Sequence, residues 1–502
     1  MKIGRMILTI FLLLGSVAAN SQSFRFLNQN PFPEVRYHIL AFNFDSASAL
    51  LNFKSKTKET EAVRHYYQFL MIAWNYVLSE SPESYRRFDE SNSVLEDELE
   101  EFEDQPEFKF LLGELYFWKT IVQFRNGSVL SAVYNGNKAF THYDAAAQKQ
   151  PNNPDIKKGI GLAHFLVGTV PSKYSWITGV FGFSGTMDQG LKELSFASET
   201  GQYSQDEAKF FLSAIQLFIF RESKKCLEML DPLMKKYPNN GLFILTAGIA
   251  YQRDRKVETA KKLYQEKLDY FEKYLPAFSD LIRLRLGECQ FFLNQLDVSE
   301  TTLKEFLKTY KGEALKPIAY YRLGIAQELL GKHQEALTNF SKIVPRDNFE
   351  FEQFGKVESQ KFIQKPMSEH EKTLWKVKNL FDSGETEKAI RISEQTLKEN
   401  ISDVETKGEF YYRLGRMYEE SGDYKNSLYY YNLSAKTPYK LYSWLGAYTW
   451  FQTGKVYAKM NNKKEAKTAF EKALNFPAHA FENSLSREID TELKKLDLPE
   501  IK

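Results

Sequence analysis

The stretch that decides the fold runs from Tyr411 to Pro477. Residues 411–438 read YYRLGRMYEESGDYKNSLYYYNLSAKTP and residues 450–477 read WFQTGKVYAKMNNKKEAKTAFEKALNFP, 39 positions apart. Position by position, Tyr411, Leu414-Gly415, Tyr418, Gly422, Ser427, Tyr431, Ser434 and Pro438 correspond to Trp450, Thr453-Gly454, Tyr457, Asn461, Ala466, Phe470, Ala473 and Pro477. The chemistry of this pattern is steric. A small residue on the first helix lets a second helix approach closely, and aromatic rings fill the groove between neighbouring hairpins. A turn residue separates the two helices, and a proline closes each copy because the residue before it is disfavoured in the helix.

Spacing of this kind is that of the tetratricopeptide repeat, and the same frame extends upstream. Phe108–Phe124 with Val129–Gln148 forms a first hairpin, followed by a break at Pro151-Asn152-Asn153-Pro154. Hairpins recur from Asp206 to Ile343, Lys372–Asn400 forms another, and Ser484–Leu496 reads as a capping helix. No stretch shows sustained strand alternation. The expected architecture is all-α, a right-handed superhelical α-solenoid of roughly sixteen to eighteen helices. The expected organisation is a signal peptide at 1–21 and an N-terminal helical region at 22–205. Regular hairpins at 206–348 and an irregular connector at 349–371 follow, then C-terminal repeats with a cap at 372–502.

Composition fits that architecture. Forty Phe and 29 Tyr in 502 residues suit a core plugged with rings. The net charge of +2 includes Lys2 and Arg5, so the remainder is close to neutral and carries no nucleic-acid footprint. Lys2 and Arg5, the apolar run Met6 to Leu14, and the small-residue exit Val17-Ala18-Ala19-Asn20-Ser21 read as a secretory signal peptide. No later segment is apolar enough to span a bilayer. The mature chain is therefore expected in the periplasm or outer cell envelope. Export permits Cys226 and Cys289 to pair, but both sit among Leu and Phe at helical spacing, which favours two buried thiols.

Motifs for catalysis are wanting. The seven histidines are scattered without i,i+4 pairs, and no G-x-S-x-G elbow occurs. Gly179 to Gly185 lacks the Lys-Ser/Thr of a phosphate loop. Neither a metal nor a cofactor is expected, and the chain reads as non-enzymatic. Glu96 to Asp104 is acidic at seven of nine positions but lacks the alternation of a calcium loop, and reads as a solvated helix face.

In repeats of this class the first helix of each hairpin lines the concave wall, with exposed positions one and five residues after its aromatic. These are Tyr321 and Ile325, Tyr412 and Arg416, then Phe451 and Lys455. Rings beside cations suit a protein or peptide partner through stacking and cation–π contact. The competing reading of the same rings is packing. Tyr429, Tyr430, Tyr439, Tyr442, Trp444 and Tyr448 offer an alternative surface for glycan.

A Gly- and Ser-rich insertion, Gly168 to Asp188, carries a more specific resemblance. Val170-Pro171-Ser172-Lys173, Trp176-Ile177, Val180 to Gly185, and Gly190-Leu191 with Leu194 resemble a block shared by the fungal inclusion-body clearance protein and the animal tetratricopeptide repeat protein 39 group. Leu230-Asp231-Pro232, Tyr237 to Gly241 and Ala480 to Leu485 follow in the same order, so the similarity covers roughly Phe108 to Leu496. The resemblance implies one helical superhelix without catalytic activity. Its eukaryotic members are intracellular, linked to clearance of protein inclusions and associated with lipid droplets. The export signal separates this chain from that role and points to a bacterial envelope protein of the same fold. The block reads as a structural plug, or as a ligand pocket under Trp176, Phe181 and Phe183 that would make the chain a carrier for lipid or glycan.

Overall fold

A computed structural model describes residues 23–169, 185–346, 349–477, 479–499 and 501. Residues 1–21, read above as a signal peptide, and Trp176, Phe181 and Phe183 of the insertion lie outside the described residues. The chain divides into two compact units, Met1–Ala250 and Tyr251–Lys502. Among the described residues there are 24 helices and no strand.

The first unit holds α1 (Phe32–Leu40), α2 (Phe44–Leu50), α3 (Lys58–Ser79), α4 (Pro82–Glu100), α5 (Pro106–Arg125) and α6 (Val129–Lys149). It continues with α7 (Pro154–Gly168), α8 (Met187–Thr200), α9 (Gln205–Phe218), α10 (Ser223–Lys236) and α11 (Gly241–Arg253), whose last residues cross the boundary. The helices α1 and α2 are separate because the chain turns at Phe42, whose φ is 57°. Residues 24–33 belong to the core: Phe24, Phe26, Leu27 and Phe32 are buried. The Glu107 carboxylate at the start of α5 holds that segment by accepting the backbone N–H groups of Arg25 (2.8 Å), Phe26 (3.1 Å) and Leu27 (2.6 Å). Tyr143 of α6 lies between two helices at glycines. A Cβ on Gly113 of α5 or Gly159 of α7 would meet its ring at 2.5 and 2.4 Å. Its hydroxyl donates to Glu114 at 2.5 Å, and Lys158 closes the pair at 2.6 Å from the same carboxylate.

The second unit holds α12 (Val257–Tyr274), α13 (Pro276–Phe292), α14 (Leu296–Thr309), α15 (Lys316–Leu329), α16 (His333–Ser341) and α17 (Glu350–Gln364). The C-terminal elements are α18 (Glu369–Asp382), α19 (Thr386–Thr396), α20 (Val404–Glu420), α21 (Tyr424–Ala435), α22 (Ser443–Lys459), α23 (Lys463–Leu474) and the cap α24 (Glu482–Lys495). Four hairpins share one contact. Added Cβ atoms at Gly287, Gly324, Gly415 and Gly454 would meet Leu303, Phe340, Tyr431 and Phe470 at 2.9, 2.3, 2.4 and 2.4 Å. In every case the partner lies sixteen positions downstream, on the second helix. Asn294, Gly331, Gly422 and Asn461, each seven positions after its glycine, carry the left-handed turn with φ of 56°, 77°, 78° and 58°. The fold is an all-α solenoid of such hairpins. The segment expected as an irregular connector, 349–371, contains α17, whose buried face of Glu358, Ser359 and Phe362 packs in the unit's core. Cys226 and Cys289 are buried, and neither stands in a disulfide.

Candidate functional site

In the second unit the first helices α18, α20 and α22 stand side by side as a wall, and the hairpin register assigns each a cation at one position. Counted back six residues from the turns at Gly384, Gly422 and Asn461, that position holds Lys378, Arg416 and Lys455. The three differ in their partners. Lys378 lies 3.4 Å from Glu409 on α20 and 3.5 Å from the Trp375 ring centre, while Arg413 donates to the same carboxylate at 2.7 Å. Burial pushes the Glu409 carboxyl up, but the two cations more than reverse this and hold it at about 2.

Arg416 and Lys455 have no such arrangement. Both are half-buried, and among the described residues no carboxylate approaches either within 4.0 Å. Glu419, the acid beside them, is taken by Lys459 at 2.9 Å and the Tyr431 hydroxyl at 2.8 Å. The place on α22 that corresponds to Glu409 is occupied by Tyr448, which brings no charge. Burial works against the Arg416 charge, and the Tyr412 and Tyr431 hydroxyls with Glu419 outweigh it, so its pKa stands above the usual arginine value. Burial, opposed by the Glu419 carboxylate and helped by repulsion from Arg416, holds the Lys455 ammonium below the usual lysine range. A cation kept at that cost without an ion-pair partner is a group whose counter-charge can come from outside.

Two further polar atoms lie on the same stripe of α22, where residues 444, 448, 452 and 455 follow one another at helical spacing. Gln452 is 5% exposed, and its Oε1 has no hydrogen-bond donor among the described residues. The Trp444 Nε1 is buried and likewise finds no acceptor there. The Trp444 ring rests on Tyr412, Tyr448, Phe354 and Phe481, with ring centres 5.7–6.2 Å apart. The wall thus combines unmatched positive charge, one unused acceptor, one unused donor and an aromatic floor.

Of the residues read as contacts, Arg416 and Lys455 keep partial exposure, whereas the rings are buried. Tyr321, Tyr412 and Phe451 are 2%, 2% and 1% exposed, and Ile325 is fully buried, so none is a contact surface. Tyr321 donates its hydroxyl to Glu358 of α17. Tyr412 packs on Tyr431 and Trp444, and Phe451 on Phe470 and Tyr448. The aromatic surface read as an alternative for glycan is also mostly internal. Tyr430 stacks on Tyr418 and Tyr442 is buried, leaving Tyr429 as the exposed large ring. Gln452 and Lys378 were not singled out. Lys378 is concealed because Val377 stands where the hairpin glycine falls in the other repeats.

The first unit carries a different feature. Phe117, Phe124, Val129, Phe140, Leu162 and Leu166 line an apolar cavity of about 390 Å³ between α5, α6 and α7. Phe124, Val129 and Leu166 are exposed at its mouth. No helix among the described residues is long and apolar enough to cross a membrane.

With this geometry in view, the chain is a tetratricopeptide-repeat protein: residues 284–350 and 447–477 match models described as tetratricopeptide repeat. Residues 83–309 match the model described as Iml2/Tetratricopeptide repeat protein 39, so that part of the chain is similar to that family. Solved structures similar to this chain include a monomeric mutant of IFIT1 with Gppp-AAAA, at 13% identity over 90% of this chain and 96% of that one, with a TM-score of 0.29. The human IFIT1 dimer with m7Gppp-AAAA is similar at 13% identity over 92% and 97%, with a TM-score of 0.28. Arrays of this repeat type are scaffolds for protein interaction, built on extended surfaces that stacked repeats present.

Proposed function

We propose that this chain is an exported, non-enzymatic scaffold that holds a protein or peptide partner against the wall formed by α20 and α22. The observation that carries the reading is the coincidence of Arg416 and Lys455, which lack a carboxylate, with the unused Gln452 Oε1 and Trp444 Nε1. Buried polar groups are nearly always satisfied, and a peptide backbone supplies both a donor and an acceptor. Export rests on the charged, apolar and small-residue succession of residues 1–21, which supports a periplasmic or outer-envelope reading of the mature protein.

A second reading rests on the cavity of the first unit, whose apolar lining suits a lipid chain. One experiment separates the two. Affinity capture from an envelope extract uses the wild-type chain and an Arg416→Gln/Lys455→Gln variant, with protein and extracted lipid both analysed. A protein retained by the wild type and lost by the variant supports the scaffold. Equal retention by both removes the wall from the account. Lipid recovered without a protein partner transfers the function to the first unit. Intact-mass measurement of the envelope form tests export, with loss of 19 to 21 N-terminal residues expected.

A further inference from the structure

The scaffold reading leaves the chemistry of the partner open, and the wall itself narrows it. At this register the positive charge with no carboxylate within 4.0 Å is carried by two side chains one hairpin apart, Arg416 on α20 and Lys455 on α22, which share only the more distant Glu419. Along α22, Gln452 lies one turn from Lys455, and Trp444 lies about two turns beyond Gln452. At about 1.5 Å per residue the stripe from Trp444 to Lys455 spans roughly 16 Å, the length of about five residues of extended chain. The unused atoms are one acceptor and one donor about 12 Å apart along the helix, which the N–H and C=O groups of an extended segment about four residues long can complete. The floor beneath them is aromatic and includes Trp444 and Tyr448.

We propose that the occupant is an extended peptide segment with an acidic side chain, its carboxylate held between Arg416 and Lys455. This inference rests on the scaffold reading above. The Gln452 Oε1 accepts a backbone N–H next to the acidic residue, and the Trp444 Nε1 donates to a backbone carbonyl further along. An apolar or aromatic side chain about three or four positions from the acid lies on Trp444 and Tyr448. A carboxylate between two cations is a charge-assisted contact, stronger than a neutral one and sensitive to salt. A nucleic acid is the poorer fit. Phosphate chains are held by many cations, and this register of the wall offers two, in a chain of net charge +2.

The test uses the full mature chain and two fluorescein-labelled heptapeptides, identical except that a central Glu in one is Gln in the other, each with Trp four positions away. Fluorescence anisotropy is read at low and high salt, with circular dichroism and thermal unfolding as controls for folding. The Glu peptide is expected to bind about tenfold or more tightly than its Gln twin, and Arg416→Gln/Lys455→Gln is expected to abolish that preference. Trp444→Ala weakens both peptides alike. If the twins bind equally well and only Trp444→Ala weakens them, the acidic requirement is overturned while the scaffold reading stands. If neither peptide binds and a labelled single-stranded oligonucleotide does, both fall.

Discussion

Lys378 on α18 lies 3.4 Å from Glu409 on α20, whereas Arg416, at the same register one repeat later, meets no carboxylate within 4.0 Å among the described residues. One helix pair uses this position to join neighbouring repeats, and the next pair leaves it available. On the facing helix, Glu409 and Arg413 give way to Tyr448 and Gln452 at the corresponding positions. Several consequences can be measured.

The joined pair makes stability depend on pH. Glu409 is 3% exposed, and Lys378 with Arg413 depresses its pKa to about 2 from an ordinary 4.5. A depressed carboxylate stabilises the fold fully above its unfolded pKa, and the contribution is lost as pH falls through the folded value. Unfolding free energy is therefore expected to fall between about pH 4.5 and about 2. Glu409→Gln is expected to cost about 3 kcal/mol at neutral pH in urea denaturation and to flatten that acid limb, because it leaves Lys378 and Arg413 buried without their acid.

The available cation has the opposite signature. Burial disfavours the Lys455 ammonium, so Lys455→Met should leave the thermal midpoint unchanged or raise stability by up to about 1 kcal/mol. The same variant should lose partner affinity. A clear loss of stability would show that Lys455 has a structural partner, and would remove it from the site.

The hairpin glycines follow two rules. Gly415→Ala puts a methyl group 2.4 Å from the Tyr431 ring, which is fully buried and tied by its hydroxyl to Glu419. The expected cost is about 3 kcal/mol, because the ring has nowhere to move. Gly422→Ala meets no atom within 4 Å but sits at φ 78°, so it is expected to cost only about 1 kcal/mol. Equilibrium unfolding of the two variants side by side checks the ranking.

Both thiols are sealed. Cys226 and Cys289 are fully buried, and burial pushes the Cys289 thiol far up from its usual pKa. Neither should react with a thiol reagent in the native protein, and both should titrate in denaturant. Rapid labelling of the native chain would contradict this placement.

The repeat was legible because its cause is carried by residue type. Only a small residue at 415 or 454 admits the ring sixteen positions later, so glycine and aromatic announce the hairpin together. Exposure was not legible in the same way, because it is decided by residues a hairpin or more distant. Tyr321 is covered by Glu358 and Phe351, which lie in or beside a helix within a segment read as irregular. Tyr412 and Phe451 are covered by rings from both flanking elements. Arg416 and Lys455 kept partial exposure because a long cationic side chain reaches past the apolar layer that closes over a ring. The unused atoms of Gln452 and Trp444 had no sequence signal, since an amide or indole shows its partner only in three dimensions.

The measurement that bears most directly on the scaffold is hydrogen exchange of the mature chain with and without its captured partner. Slower exchange is expected in residues 409–420 and 444–459, with no comparable change around the cavity formed by α5, α6 and α7. Protection confined to that cavity, with residues 409–420 and 444–459 exchanging as in the unbound chain, would contradict the account.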